Sequence, residues 1–506
     1  MIDLKAILRA VTNGRRNSAD TTESATRLVN TLPTMDSRPA LVEIIKAVAR
    51  INKDVSVTFK DRIHTLLYVD THTAPIHHHL CLDYLSGTPR ARAYLPTILA
   101  YWTELANGYL LCLRQSQNSK TPLLTSSLEL AAMRALHHQL SLIRWSALRY
   151  IYADGSTWLQ AYRLYSLIEQ AGFQQKPLTL YDNATESVTA EQMLIQAAML
   201  HLAQTDNLVP IEIEAIHLML SRLSDDVHLG DGATDSDFQY VINLDLPAPP
   251  QLLRRGTLGK GCRFWSGEAV VNRLADLILD FDQQIPDSFK QALPSMSADT
   301  WRGLLQKLST RWSQDGGKSM RRHERLVTNS MAKVEVGFER IAHFLRLSRN
   351  VPLGDEQFTD EWRITDSSDA GIGLTYLGRD VDSLLIGRTI WITTRGQPAQ
   401  LGLIRRVQRL SEGGTKVGIE VLGNMPLPVQ LSENINSTPF NGIYITQNNT
   451  RCGQRIFLVP SKLGASNRVL TLSANGKTYQ IRLNNLVASH EDCQHVEFEA
   501  LERLNT

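Results

Sequence analysis

The chain has 506 residues, several times the usual size of a domain, which predicts two to four domains with ample hydrophobic core. Its 53 lysines and arginines stand against 51 aspartates and glutamates, and the formal net charge is +2. This balance argues against nonspecific electrostatic binding to a nucleic acid polymer or an anionic membrane. Any recognition that depends on charge must therefore be local.

The number and spacing of the cysteines, together with the hydropathy pattern, indicate the cellular compartment of the protein. The five cysteines are an odd number without CxxC spacing, which predicts neither a disulfide framework nor a zinc ribbon. The N-terminus lacks the basic-then-apolar plan of a secretion signal, and no run approaches about eighteen apolar residues. The most apolar segment, residues 96–113, is interrupted by polar residues and predicts a buried helix. We expect a cytoplasmic protein without a transmembrane segment.

Helical periodicity dominates the first part of the chain. Ile213, Ile216, Leu220 and Leu223 fall on one helical face, and similar patterns predict an α-helical module over residues 1–225. Several aromatic residues follow the same spacing, and we expect them to pack within the helices; a groove for a partner helix is the alternative. They are Trp145, Tyr150, Tyr152, Trp158, Tyr162 and Tyr165.

The pattern then changes. Residues 226–318 predict a connector with a short strand near residues 239–244, helices from about residue 266 to 312, and a flexible boundary loop over residues 313–319. Beyond Arg325 the apolar period becomes two, with Val334, Val336 and Phe338 alternating with polar residues. Short apolar runs and turn signals continue to the end, including a hairpin over residues 469–483 folded at Asn475-Gly476.

These patterns predict an α+β multidomain chain. An antiparallel β-barrel is expected over residues 319–423, because short strands separated by turns favour that architecture. Residues 424–506 predict a further β domain, either a second barrel or an extension of the first.

Two polar clusters carry the functional signal. Arg321 and Arg325 form an RxxxR pattern, and Asp366, Ser368 and Gly371 form a DxSxxG pattern within the β-rich region. Arginine forks match the N7 and O6 acceptors of guanine and phosphate oxygens, whereas Asp and Ser reach other ligand edges. Neither cluster has the composition of a catalytic centre, so both indicate a receptor site for a guanine nucleotide.

Together with the later run at residues 417–421, the two clusters resemble the PilZ domain over about residues 319–423. The resemblance implies a six-stranded β-barrel that serves as a receptor for the bacterial second messenger cyclic di-GMP. By the same resemblance, Arg321 and Arg325 contact guanine and phosphate, and Arg322 is an auxiliary ligand-binding residue. Asp366 contacts a guanine edge, and Ser368 contacts phosphate. Gly371 provides the backbone geometry of the site.

The clusters depart from the common family pattern in two respects. In the common form of the family, a doubled arginine precedes the spacing and its second member is the first arginine of RxxxR. Here Arg321 is the first arginine of RxxxR, and Arg322 lies inside the spacing. Residues 347–361 form an insertion between the clusters.

Other motifs carry a weaker functional signal than these two clusters. Adjacent histidines at His77, His78 and His79 point in different directions on a helix, so a surface or core-edge role is predicted and no metal site. The glycine of a Walker loop is missing before Gly317-Lys318-Ser319, and no GxSxG elbow occurs. The sequence therefore predicts no catalytic residue, metal or cofactor.

The resulting hypothesis is a bacterial cyclic di-GMP effector with an unidentified protein partner in motility, pilus, envelope or biofilm control, a set implied by the family. Two alternatives remain open: a ligand-independent scaffold, and an enzyme whose site lies in the helical module.

Overall fold

The chain divides into two compact units, here taken from a computed structural model. The first unit contains residues 1–149, 153–205 and 210–318, and the second contains residues 150–152, 206–209 and 319–506. The structure describes residues 22–32, 35–88, 90–118, 125–182, 186–225, 227–232, 238–254, 259–313, 325–347, 361–395, 397–433, 437–447, 456–461, 463, 467–474 and 476–504. The predicted loop at residues 313–319 and the insertion at 347–361 fall almost entirely outside them.

The helical region predicted at the N-terminus is confirmed. Its helices are α1 (residues 22–31), α2 (Ser37–Lys53), α3 (Phe59–Leu85), α4 (Leu95–Asn118), α5 (Ser126–Ala147), α6 (Gly155–Gln170), α7 (Ala190–Leu202) and α8 (Pro210–Leu223). The apolar segment 96–113 lies within α4 as expected. Trp158, Tyr162 and Tyr165 of α6 are fully buried, so these aromatic side chains stabilise the helical packing. The expected packing within the helices is wrong for Tyr150, which belongs to the second unit and packs in the core of its sheet.

Residues 226–318 contain both sheet and helix. Strands β1 (Tyr240–Asn243), β2 (Gln251–Leu252) and β3 (Cys262–Trp265) form a small antiparallel sheet in the order β2-β1-β3. Helices α9 (Glu268–Gln283), α10 (Asp287–Ala292) and α11 (Ala298–Trp312) follow. All of these elements belong to the first compact unit, and the finer boundary at residue 225 stays a prediction.

The second unit is mostly antiparallel sheet, as its period-two patterns predict. Its elements are β4 (Leu326–Met331), β5 (Lys333–Val336), α12 (Phe338–Leu347), β6 (Trp362–Ser368), β7 (Gly371–Tyr376), β8 (Thr389–Thr393), β9 (Gln400–Arg409), β10 (Thr415–Ser432), β11 (Phe440–Gln447), β12 (Ile456–Pro460), β13 (Val469–Ala474), β14 (Lys477–Ser489) and β15 (Cys493–Leu504). The predicted hairpin of β13 and β14 is confirmed.

Strand β10 organises this sheet. Its first half pairs with β7 and β9, within a path β4-β6-β7-β10-β9-β8-β5 whose two end strands are consecutive in the chain. Among the described residues no ladder joins β4 to β5. The second half of β10 pairs with β11 and β13, and the order β10-β11-β12-β15-β14-β13 returns to β10 as a ring of six ladders. Thus β10 continues through residue 423, where the sequence suggested a boundary.

One predicted strand is shorter than expected. The alternation of apolar residues at Val334, Val336 and Phe338 indicates a continuous strand, but β5 ends at Val336 and Phe338 begins α12. Gly337 takes a φ of +99°, a left-handed conformation that breaks the extended backbone. The Phe338 N–H then donates to Asp492 Oδ2 at 2.8 Å, which satisfies the first exposed donor of the helix.

Candidate ligand-binding face

Strand pairing brings the two predicted polar clusters together. Arg325 immediately precedes β4, and Asp366 lies on β6, opposite Val327 of β4. The Arg325 guanidinium donates to Asp366 Oδ1 in an ion pair. The two side chains are 34% and 31% exposed, so both remain accessible to a ligand. Arg321 and Arg322 lie outside the described residues.

Ser368 and Gly371 close the hairpin that joins β6 to β7. They are directly paired across the hairpin, and the Ser368 hydroxyl donates to the Gly371 carbonyl at 3.3 Å. The hydroxyl oxygen keeps its acceptor lone pairs. Directly paired residues share one face of an antiparallel sheet, so Ser368 and Gly371 lie on the same side, and Asp366 joins them because it lies two residues from Ser368.

Three glycines form the floor of this face. Gly371 and Gly373 alternate along β7 with Ile372 and Leu374, and all four residues are buried; Gly373 is in register with Gly418 of β10. A Cβ at Gly373 would lie 2.6 Å from Asp366 Oδ2, and one at Gly371 would lie 2.9 Å from the Ile419 carbonyl oxygen. No side chain larger than hydrogen fits at Gly373 without a shift, because the Asp366 carboxylate lies directly over it, and the Arg325 guanidinium lies over Gly371.

A second charged pair lies on the same face. Glu420 of β10 is directly opposite Gly371, and Arg405 of β9 donates to its carboxylate at 2.7 Å. Both side chains are nearly half exposed. We call this surface the glycine face: the floor of Gly371, Gly373 and Gly418, bordered by Arg325, Asp366, Ser368, Arg405 and Glu420. Its paired charges and its flat floor suit a planar ligand with polar edges.

The sequence assigned no role in the site to Gly373, Gly418, Arg405 or Glu420, although residues 417–421 formed part of the resemblance. The repeat Gly371-Ile372-Gly373-Leu374 was a usable signal, because glycine at alternate strand positions marks one face as open. Arg405 and Glu420 carried no such signal, since their proximity depends on the pairing of β9 with β10.

Other expected features are also located by the structure. His77 is buried and stacks on Tyr101, with ring centroids 4.2 Å apart, so this histidine lies in the core, whereas His79 is 65% exposed and lies at the surface. Across the part of the chain that the structure describes, no three His, Cys, Asp or Glu side chains converge as a metal site would require. Within the same residues, no helix is both long and apolar enough to cross a membrane.

Comparison with known proteins gives one match. Residues 23–234 match the family model described as the N-terminal domain of the cyclic-di-GMP receptor FimW. A comparison with curated proteins gave no significant match. The match covers the helical region only. It ends before residue 319 and therefore does not bear on the resemblance to a PilZ domain.

Proposed function

We propose that the chain is a bacterial cytoplasmic effector that binds cyclic di-GMP on the glycine face, within a PilZ-like barrel. The contact between Arg325 and Asp366 carries the proposal, because two motifs 41 residues apart meet on one accessible surface. The family match of residues 23–234 supports the same ligand independently, since it involves a different part of the chain.

The face offers a partner for each part of the ligand. Arg325, with Arg321 and Arg322 close to it in sequence, supplies guanidinium groups for guanine N7 and O6 and for the two phosphates. Asp366 accepts from the N1–H and N2–H edge of guanine, and Ser368 reaches a phosphate oxygen. Gly371 and Gly373 let a purine ring approach the backbone closely. None of these groups performs a chemical step, so the role proposed for this face is binding alone.

Binding would alter contact with another protein. A ligand held by both the segment before β4 and the β6–β7 hairpin favours the arrangement that presents both elements together. That preference is the physical means by which the second messenger changes an interaction surface. A partner in motility, pilus, envelope or biofilm control is the output that the PilZ resemblance suggests.

Calorimetric titration of the full chain tests the proposal. We expect cyclic di-GMP to bind, and cyclic di-AMP to bind about 100-fold more weakly, because adenine lacks the two donors that Asp366 accepts. Cyclic di-AMP is the matched control, with the same ring of phosphates and sugars. No heat change at high micromolar cyclic di-GMP would refute the proposal and favour the ligand-independent scaffold. Conversion of cyclic di-GMP into a product during incubation would favour the alternative that the protein is an enzyme.

A further inference from the structure

The first unit contains a cavity that the proposed function does not use. Its volume is about 1180 Å³, and it is lined by side chains of α3, α4, α5 and α8 and by residues 291–295. Sites for small organic molecules usually have volumes of roughly 300–1,000 Å³. The cavity therefore has ample room for a small molecule, and its lining determines which kind.

One wall presents a buried nitrogen without a partner. His138 is 1% exposed, and its Nε2 lies 3.1 Å from the fully buried Asp70. Burial raises the pKa of Asp70, but the charge and hydrogen bond of His138, the charge of Arg134 and the hydrogen bond of Tyr109 outweigh it and hold that pKa well below its usual value. Asp70 is thus ionised, and His138 Nε2–H donates a hydrogen bond to its carboxylate. His138 Nδ1 has no hydrogen-bond partner, so it is available for a hydrogen bond with a polar group of a ligand.

A second wall presents a loosely matched ion pair. Arg144 Nε and Glu214 Oε1 are 3.7 Å apart, too far for a hydrogen bond. Both atoms are buried, and neither has a hydrogen-bond partner. Unsatisfied buried polar atoms destabilise the folded protein. A ligand group with both a donor and an acceptor would satisfy Glu214 and Arg144 together.

The charge of the lining restricts the ligand. Burial lowers the pKa of His77 and His137 to about 3 and that of His217 well below its usual value, so these imidazoles are neutral at pH 7. Apart from His78 and His138, the other charged side chains of the lining are Arg144 and Glu214, and their opposite charges cancel. A net charge on the ligand would be buried without compensation, which is strongly unfavourable. This argues against the dianionic cyclic di-GMP as the ligand of this cavity.

The remaining walls are aromatic. Tyr101, Trp102 and Tyr181 line the cavity, and their rings offer stacking or edge contacts to a flat ligand. We propose that the helical unit binds a second, small ligand: an uncharged or zwitterionic molecule with an aromatic ring and a polar end that bonds Arg144, Glu214 and His138. This site is separate from the glycine face.

A charge series of indole compounds tests this site on the full chain. Saturation-transfer NMR and calorimetry would compare indole and L-tryptophan, which carry no net charge, with tryptamine and indole-3-acetate, which carry one. We expect the first two to bind at one site and the charged pair to bind at least about tenfold more weakly. Absence of binding by all four at millimolar concentration would overturn the proposal, and so would preferential binding of the charged probes.

Two matched variants assign the binding to the cavity. Leu218 lines the cavity and is half-buried, so Leu218→Trp fills it. Leu279 is 64% exposed on α9, so Leu279→Trp adds the same ring at the surface. We expect L-tryptophan binding to be lost in the first variant and kept in the second, with cyclic di-GMP binding unchanged in both. Unchanged L-tryptophan binding in Leu218→Trp would refute the assignment, whatever the result for cyclic di-GMP.

Discussion

Arg325 and Asp366 form an ion pair on the glycine face, so two side chains assigned to the ligand also contact each other. The pair is about one-third exposed, and such surface pairs contribute roughly 0–1 kcal/mol to stability. Its members are therefore available to a ligand at little cost to the fold. A guanine that donates to Asp366 while it accepts from Arg325 can bridge both groups.

Replacement of either member is expected to weaken binding far more than folding. Arg325→Ala and Asp366→Ala each remove a charge-assisted hydrogen bond, which corresponds to about a 10- to 100-fold loss of cyclic di-GMP affinity. Calorimetry would measure the affinity and thermal unfolding the stability. Arg340→Ala is the matched control, because Arg340 forms an exposed ion pair with Glu335 at 3.1 Å outside the glycine face. Wild-type affinity in Arg325→Ala or Asp366→Ala would contradict the site assignment.

Gly373 tests the importance of the low floor. A Cβ at this position would lie 2.6 Å from Asp366 Oδ2, so Gly373→Ala must displace the carboxylate from its place beside Arg325. We expect roughly tenfold weaker cyclic di-GMP binding with only a small stability loss, because a side-chain end can move cheaply. Thr375→Ala, one step along the same face of β7, is expected to bind normally. Equal affinities of the two variants would show that the floor plays no part.

Local patterns predicted most elements, but not the contacts between distant residues. The helix at residues 96–113 and the hairpin of β13 and β14 follow from spacing and turn residues. The end of β5 does not, because Phe338 begins a helix by donating to Asp492, 154 residues away. The pairing of β9 with β10 likewise places Arg405 beside Glu420 without any local signal.

Asp492 is expected to fix the start of α12. Its carboxylate accepts from the Phe338 N–H at 2.8 Å and from the Thr389 hydroxyl at 2.9 Å, and its side chain is 16% exposed. Asp492→Ala leaves these donors unmatched, so we expect a loss of about 2 kcal/mol and faster amide hydrogen exchange in α12 and β8. Glu491→Ala, at an exposed neighbouring position, is the control. Unchanged amide hydrogen exchange in Asp492→Ala would show that Asp492 does not fix the start of α12.

Asp70 is expected to hold the helical unit together. It is fully buried and accepts hydrogen bonds from His138 and from the Tyr101, Tyr109 and Tyr181 hydroxyls. Asp70→Asn removes the charge that Arg134 faces and leaves a buried cation without its partner, at a cost of about 3–5 kcal/mol. Hydrogen exchange in α3 and α5 would report the loss. Asp83→Asn, exposed on the same helix, should leave exchange unchanged, and equal effects of the two substitutions would argue against a central role for Asp70.

The buried histidines predict how stability depends on pH. The ordinary pKa of histidine is 6.5, and burial lowers that of His77 to about 3. Between these values the unfolded chain binds the proton and the folded chain does not, so stability rises with pH across this window, by up to about 1.4 kcal/mol per pH unit for each such histidine. The contribution is fully present above about pH 6.5 and is lost as the pH falls toward 3.

Urea unfolding of the wild type and of His77→Gln at pH 7 and pH 5 checks this dependence. We expect the wild type to lose more stability between the two pH values than His77→Gln does, because the substituted chain no longer has this proton to bind on unfolding. His79→Gln, which removes an exposed histidine two residues further along α3, should keep the wild-type difference. The same pH difference in His77→Gln as in the wild type would show that His77 does not set the acid sensitivity of the helical unit.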